Sequence, residues 1–247
     1  MIWNGVYRSF EDAQSENSAF VHPNWVQRSV ERLREVSLDR EPNSATTTVD
    51  GSLLIGPILA TLENGTSVKI LDVGGNLGQL AIEINRKFTG TRISWTILER
   101  EDFLKASQQF INLPEDLEFH SDLESLKSQT FDIIHFGSSI QYIDDWVDYV
   151  STLSQKHLPK WFVIADGMSG ETIPTFVTRQ KYYEGYLVSR FVNLSELISV
   201  FDGLDFNLVY QSPFVNESNR GYYPEQDLPD EYRINFPLDL IFRARER

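Results

Sequence analysis

The sequence predicts an α/β protein whose single sheet of seven strands is mostly parallel, with one reversed strand. Three observations carry that expectation. From Val68 onward, short runs of β-favouring residues alternate with apolar stripes at helical spacing, as in parallel strands joined by crossover helices. The first run ends in an acid and a glycine turn, Leu71-Asp72-Val73-Gly74-Gly75-Asn76-Leu77-Gly78. The next run ends in a second acid, Glu99.

In chain order, Trp25, Val26, Ser29, Val30 and Leu33 share one helical face, and Leu53, Leu54, Ile58, Leu59 and Leu62 share another. The polar stretch Pro42 to Thr48 between them has no helical period. Residues 1–65 therefore read as a helical cap joined to one domain over 66–247. Strands are expected at Val68 to Val73, Ile93 to Leu98, Leu117 to His120, Phe131 to Phe136 and Trp161 to Ala165. Crossover helices are expected around Leu77, Leu80, Ala81, Ile84 and Phe88, and around Trp146, Val147, Tyr149, Val150 and Leu153. A further helical stripe, Leu194, Leu197, Ile198 and Phe201, precedes two runs at Phe206 to Gln211 and Leu238 to Phe242. The polar segment between those runs suits an antiparallel return better than a crossover helix.

At 247 residues the chain is long enough for one large core and too short for two catalytic domains. Its 22 basic and 36 acidic residues give a formal charge of -14, which would repel nucleic acid and anionic bilayers. The absence of cysteine excludes disulfides and thiolate metal sites. The opening residues lack a signal-peptide pattern, and no apolar run approaches the roughly 20 residues of a bilayer span. The expected setting is cytoplasmic, without membrane insertion or nucleic acid as partner. A homodimer is admitted but not indicated.

The glycine turn narrows the ligand. A dinucleotide site reads G-x-G-x-x-G and cradles a pyrophosphate. Here Asp72 stands two residues before Gly74, and Gly78 follows four after it. A carboxylate at that point would repel a pyrophosphate but can meet the ammonium of a methionyl group. Glu99 could accept both ribose hydroxyl hydrogens, and Asp122 could accept from an adenine amino group. Together these favour S-adenosylmethionine over NAD. The plain alternatives are that the glycines only make a tight turn and that Asp122 caps a short helix.

Across most of its length the chain resembles the class I S-adenosylmethionine-dependent methyltransferases. More narrowly, it resembles a methyltransferase family often encoded among bacterial surface-polysaccharide genes, such as O-antigen or capsule clusters. The resemblance rests on Trp3-Asn4-Gly5-Val6-Tyr7 with Phe10-Glu11-Asp12-Ala13, on the Leu71 to Gly78 turn, and on Ser138-Ser139-Ile140-Gln141-Tyr142-Ile143. It continues through Asp166 to Thr178-Arg179-Gln180. It implies a Rossmann-like sheet and S-adenosylmethionine as cofactor, with S-adenosylhomocysteine as product. Asp72, Gly74, Gly75, Gly78 and Glu99 would line the cofactor site, with Asn76 and Ser138 completing it. Asn76 departs from the glycine usual at its position.

The methyl sulfonium of such a cofactor is intrinsically reactive, so the protein need only place a nucleophile and, where required, remove a proton. Gln141 and Tyr142 are candidates for orienting the acceptor, although Tyr142 could equally pack on the helix bearing Trp146. Asp166 is the candidate general base, or else a turn residue before Gly167. Arg179 and Gln180, among Tyr182, Tyr183 and Tyr186, suggest a lid over an acceptor carrying carboxylate, phosphate or sugar hydroxyls. The ordinary alternative for Arg179 is a solvated loop residue. His135 reads as a core histidine, and no metal-ligand spacing is visible.

The expected activity is metal-independent O-methylation of a small-molecule or saccharide-linked acceptor. The competing readings are N-methylation of an amino sugar or other small amine, an NAD-dependent oxidoreductase, and a non-catalytic protein that binds a partner through its cap.

Overall fold

The computed structural model describes residues 2–14, 18–38, 52–61, 65–108, 116–214 and 227–246. Leu62 and the Pro42 to Thr48 stretch lie outside them. The chain opens with β1 (Trp3–Tyr7), α1 (Pro23–Leu38) and α2 (Ser52–Ala60). The alternating region follows as β2 (Ser67–Val73), α3 (Gln79–Lys87), β3 (Arg92–Leu98), α4 (Glu101–Ser107), β4 (Leu117–His120), β5 (Ile133–Gly137), α5 (Trp146–His157) and β6 (Trp161–Gly167). Then come β7 (Ser169–Gly170), β8 (Phe176–Tyr182), β9 (Gly185–Asn193), α6 (Leu194–Gly203), β10 (Phe206–Pro213) and β11 (Leu238–Ala244).

The main sheet has the order β10-β11-β6-β5-β2-β3-β4. Strands β4, β3, β2, β5 and β6 pair in parallel, and β11 runs antiparallel to both β6 and β10. This is the seven-stranded sheet with one reversed strand that the sequence pattern predicts. Its central strands are apolar on both faces, so successive residues feed two different cores. Leu71, Val73, Ile134, Phe136, Phe162 and Ile164 pack with Trp146, Val150 and Leu153 of α5 and Leu194, Leu197 and Phe201 of α6. Val68, Ile70, Ile133, Val163 and Ala165 face the opposite way, onto Leu54, Ile55, Ile58 and Leu59 of α2 and Leu80, Ala81 and Ile84 of α3. Helix α2 is thus a layer of the sheet's own cover. Among the described residues no helix is long and apolar enough to cross a membrane.

The N-terminal region departs from the expectation of an all-helical cap. Trp3–Tyr7 is a strand, and it joins a second sheet of order β1-β8-β9-β7. The segment expected as a lid loop is the antiparallel hairpin β8–β9 of that sheet. Its core holds Trp3, Met168, Ile173, Phe176 and Phe191, with the Trp3 ring edge-on to Phe191 at 4.9 Å. Two inward positions are polar, Thr178 and Ser189, which hides the strand period in the sequence. The buried Thr178 hydroxyl is satisfied by donating to the Gly5 carbonyl of β1 at 2.7 Å.

Candidate active site

The parallel register aligns Asp72 with Ile97 and Val73 with Leu98, so β2 and β3 end level and set the glycine turn beside Glu99. The Gly74 amide donates to the Leu98 carbonyl at 2.9 Å. Gly74 has φ +74°, and a Cβ there would fall 2.6 Å from the Ser139 Cβ. A Cβ on Gly75 would fall 2.5 Å from Asp72 Oδ2. Both glycines are therefore required by close approach, not by turn geometry alone. Asn76 takes φ 52°, a left-handed conformation that asparagine tolerates better than most residues, so its departure from glycine leaves the turn intact.

Each Glu99 oxygen accepts one main-chain donor, Asn76 N–H at 3.3 Å and Arg100 N–H at 2.9 Å. The remaining lone pairs can serve two vicinal hydroxyls. Burial raises the Glu99 carboxyl above the usual carboxylate range, against the opposing pull of the Arg100 and Asn76 amides and the Arg100 charge. Asp72 is buried under the turn, with Oδ1 2.8 Å from His135 Nδ1 on the adjacent strand. His135 is thus partnered to a site acid rather than simply packed in the core.

Helix α1 braces the turn from outside. The Ser29 hydroxyl lies 3.0 Å from Asn76 Oδ1, Gln79 Nε2 donates to the Ser29 carbonyl at 2.9 Å, and Gln79 Oε1 accepts from the Leu77 amide at 3.2 Å. The sequence signal for this brace is faint: Ser29 is the polar member of an otherwise apolar helical stripe. Asp122 is exposed, and its Oδ1 accepts the Ser125 amide at 2.7 Å, capping the short turn Glu124–Leu126. That geometry matches the capping alternative offered by the sequence.

At the ends of the neighbouring strands, Gly137 and Ala165 pair across β5 and β6, which brings Ser138 and Asp166 together. Ser138 Oγ donates to Asp166 Oδ2 at 2.5 Å. Both residues have positive φ, 52° and 55°. Such conformations cost about 1–3 kcal/mol each and persist where the surroundings over-determine them. Here Asp239 of β11 accepts the Asp166 amide at 3.1 Å, and Gln141 Nε2 donates to the Asp166 carbonyl at 3.4 Å. Ser139 Oγ reaches back to the Val73 carbonyl at 2.6 Å, tying this loop to the glycine turn.

Tyr142 donates to Gln180 Oε1 at 2.7 Å. Burial, with the Asp166 charge and Tyr182 adding to it, raises its phenol well above the usual tyrosine value, so it stays protonated. Its ring meets Phe20 edge-on at 5.5 Å. Phe20 touches Trp25 at 5.4 Å, Trp25 touches Tyr182 at 4.8 Å, and Tyr182 touches Tyr183 at 4.7 Å. This aromatic wall joins α1 and the hairpin tip to the loop after β5.

Arg179 is engaged by the N-terminal segment. Its Nε donates to the Ala13 carbonyl at 2.9 Å and Nη2 to the Gln14 carbonyl at 2.7 Å, with the guanidinium 4.8 Å over the Tyr7 ring. It clasps the N-terminal segment onto β8. Among the described residues no group of three or more His, Cys, Asp or Glu side chains could hold a metal ion.

No family model matches the sequence, and no curated protein does. Solved structures do. One is from the complex between the Haloferax volcanii Trm112 methyltransferase activator and a methyltransferase, with TM-score 0.56 and 12% identity over 91% of this chain and 96% of that one. Another is the Burkholderia thailandensis 1,6-didemethyltoxoflavin-N1-methyltransferase with bound 1,6-didemethyltoxoflavin and S-adenosylhomocysteine, with TM-score 0.53 and 16% identity over 95% and 94%. A third is an S-adenosylmethionine-dependent methyltransferase from Clostridium acetobutylicum, with TM-score 0.52 and 12% identity over 90% and 98%. At these identities the likeness establishes the fold: the chain has the architecture of S-adenosylmethionine-dependent methyltransferases.

Proposed function

We propose that the protein is an S-adenosylmethionine-dependent methyltransferase that methylates an oxygen of a small-molecule or saccharide-linked acceptor. The observation that carries this reading is the pair of acids closing adjacent parallel strands, Asp72 beneath the Gly74–Gly75 turn and Glu99 beside it. The site chemistry fits the cofactor. Glu99 has acceptor capacity left for two ribose hydroxyls, and Asp72 places a buried carboxylate under the turn, where an ammonium is welcome and a pyrophosphate is not. When bound, the cofactor supplies an electrophilic methyl group on sulfur.

The chain's own residues do the rest. Asp166, held by the Ser138 hydroxyl and by Asp239, is set at the end of β6 to take a proton from an acceptor hydroxyl. Tyr142 serves as a protonated wall of the acceptor space, fixed by Gln180, rather than as a base. The faces of Phe20, Trp25 and Tyr182 are the kind of surface on which sugar or aromatic rings stack.

The test uses methyl-labelled S-adenosylmethionine with a panel of hydroxylated sugars and phenols, followed by product analysis. Label on oxygen is expected, with kcat lowered about 10²- to 10⁴-fold by Asp166→Asn and S-adenosylhomocysteine affinity unchanged. Label on nitrogen would replace the oxygen assignment, and an Asp166→Asn protein of full activity would remove Asp166 from the proton step.

A further inference from the structure

We propose that His135 is a positioning residue for Asp72, dividing the carboxylate so that one oxygen is held by the imidazole and the other faces the glycine turn. This rests on the methyltransferase reading above and assigns to His135 control over how tightly the amino-acid end of the cofactor is held.

The register of β2 and β5 sets Asp72 opposite His135. Nδ1 lies 2.8 Å from Oδ1, and the two side chains are 2% and 3% exposed. An ionised carboxylate only accepts, so the imidazole must carry its hydrogen on Nδ1. The second oxygen, Oδ2, lies 2.5 Å from where a Gly75 Cβ would stand, which puts it directly under the turn. The ring lies close against Gly137, where a Cβ would fall 2.8 Å from His135 Cε1. Nε2 is buried and, among the described residues, without a hydrogen-bond partner, so the ring's polar contact is spent on Asp72.

The other acids of the cleft are held differently. Glu99 rests on two main-chain amides and Asp166 on a serine hydroxyl. Removing the imidazole would leave a buried carboxylate unpaired and free to turn away from the glycines. Glu99, which would hold the ribose, is anchored instead by the Asn76 and Arg100 amides, so the effect falls on one end of the ligand.

Two ligands separate the ends: S-adenosylhomocysteine, which carries the amino acid, and methylthioadenosine, which shares the adenosine and thioether but lacks it. By calorimetry, His135→Leu is expected to weaken S-adenosylhomocysteine about 10- to 100-fold while leaving methylthioadenosine within about twofold. His135→Asn, whose amide can donate from the Nδ1 position, is expected to restore most of the loss. Should the leucine variant fail to fold, His135→Gln, whose donor sits at the Nε2 position, is expected to show the same selective loss relative to His135→Asn. Equal weakening of both ligands, or unchanged S-adenosylhomocysteine affinity in His135→Leu, would overturn the positioning role alone. A wild-type protein that binds neither ligand would overturn the methyltransferase reading and this inference with it.

Discussion

The β2–β3 end of the main sheet and the region around β1, β8 and β9 are built on different length scales. At the β2–β3 end the Asn76 to Glu99 contact spans 23 residues within one strand–helix–strand unit, and the contacts that brace it, Ser29 to Asn76 and Asp72 to His135, span 47 and 63. Around β8 the closing contacts are longer still: Arg179 to Ala13, across 166 residues, and Thr178 to Gly5, across 173. The first kind of geometry is dictated by parallel pairing and the glycine turn. The second depends on a strand from the chain's start finding the β8–β9 hairpin, and its polar side chains serve that closure before they serve any ligand.

Four perturbations would break or sharpen this contrast. The largest effect is expected from Gly74→Ala, which forces a Cβ into Ser139 at a positive φ. A loss of about 2–4 kcal/mol in urea unfolding, together with loss of S-adenosylhomocysteine binding, is expected. Next, Arg179→Ala removes two hydrogen bonds from a charged group and is expected to cost about 1–3 kcal/mol in the same measurement. It should raise the acceptor KM while leaving donor affinity within about twofold. Donor affinity that fell with Arg179 would show that the two sides are not independent.

A third test is pH. The Glu99 carboxyl is raised above 4.5, so the folded protein holds that proton more tightly than the unfolded chain does. Protonation therefore stabilises the fold at low pH, and that gain is lost as pH rises through the raised value. With Glu99 in the proposed ribose-holding role, cofactor affinity has the opposite sign, because only the ionised form would accept both hydroxyls. S-adenosylhomocysteine binding by calorimetry is expected to weaken as pH falls, beginning above the ordinary glutamate value, and Glu99→Gln should flatten that slope. The smallest effect is expected from Asp122→Ala: about 0.5–1 kcal/mol from the lost cap, with donor affinity changed less than about threefold.

The same difference in scale explains what could be read in the chain itself. Asp72, Gly74, Gly75 and Glu99 are legible because a parallel strand pair separated by one helix always brings its strand ends together. Ser138 and Asp166 were placed by the same rule one step further along the sheet. The pairing of His135 with Asp72 is not legible locally, since the contact spans 63 residues and depends on β5 lying beside β2 in one register. The β8–β9 hairpin was hidden by Thr178 and Ser189 at inward positions, whose polarity masks the alternation. Arg179 lies on strand β8 where a lid loop is expected, and its clasp on Ala13 and Gln14 spans 166 and 165 residues, beyond any local pattern; the cap made by Asp122 is the local alternative that its spacing already offers.

On the proposed reading, Asp72, Glu99 and the glycine turn hold an adenosyl ligand whose ammonium suits the Asp72 carboxylate, as a pyrophosphate would not. Calorimetric titration of the wild-type protein and of Glu99→Ala with S-adenosylhomocysteine and with NAD tests it directly. The expected result is saturable S-adenosylhomocysteine binding by the wild type, weakened about 10- to 100-fold or more by Glu99→Ala, with no NAD binding by either. Binding of NAD in preference to S-adenosylhomocysteine, or S-adenosylhomocysteine affinity indifferent to Glu99, would contradict it.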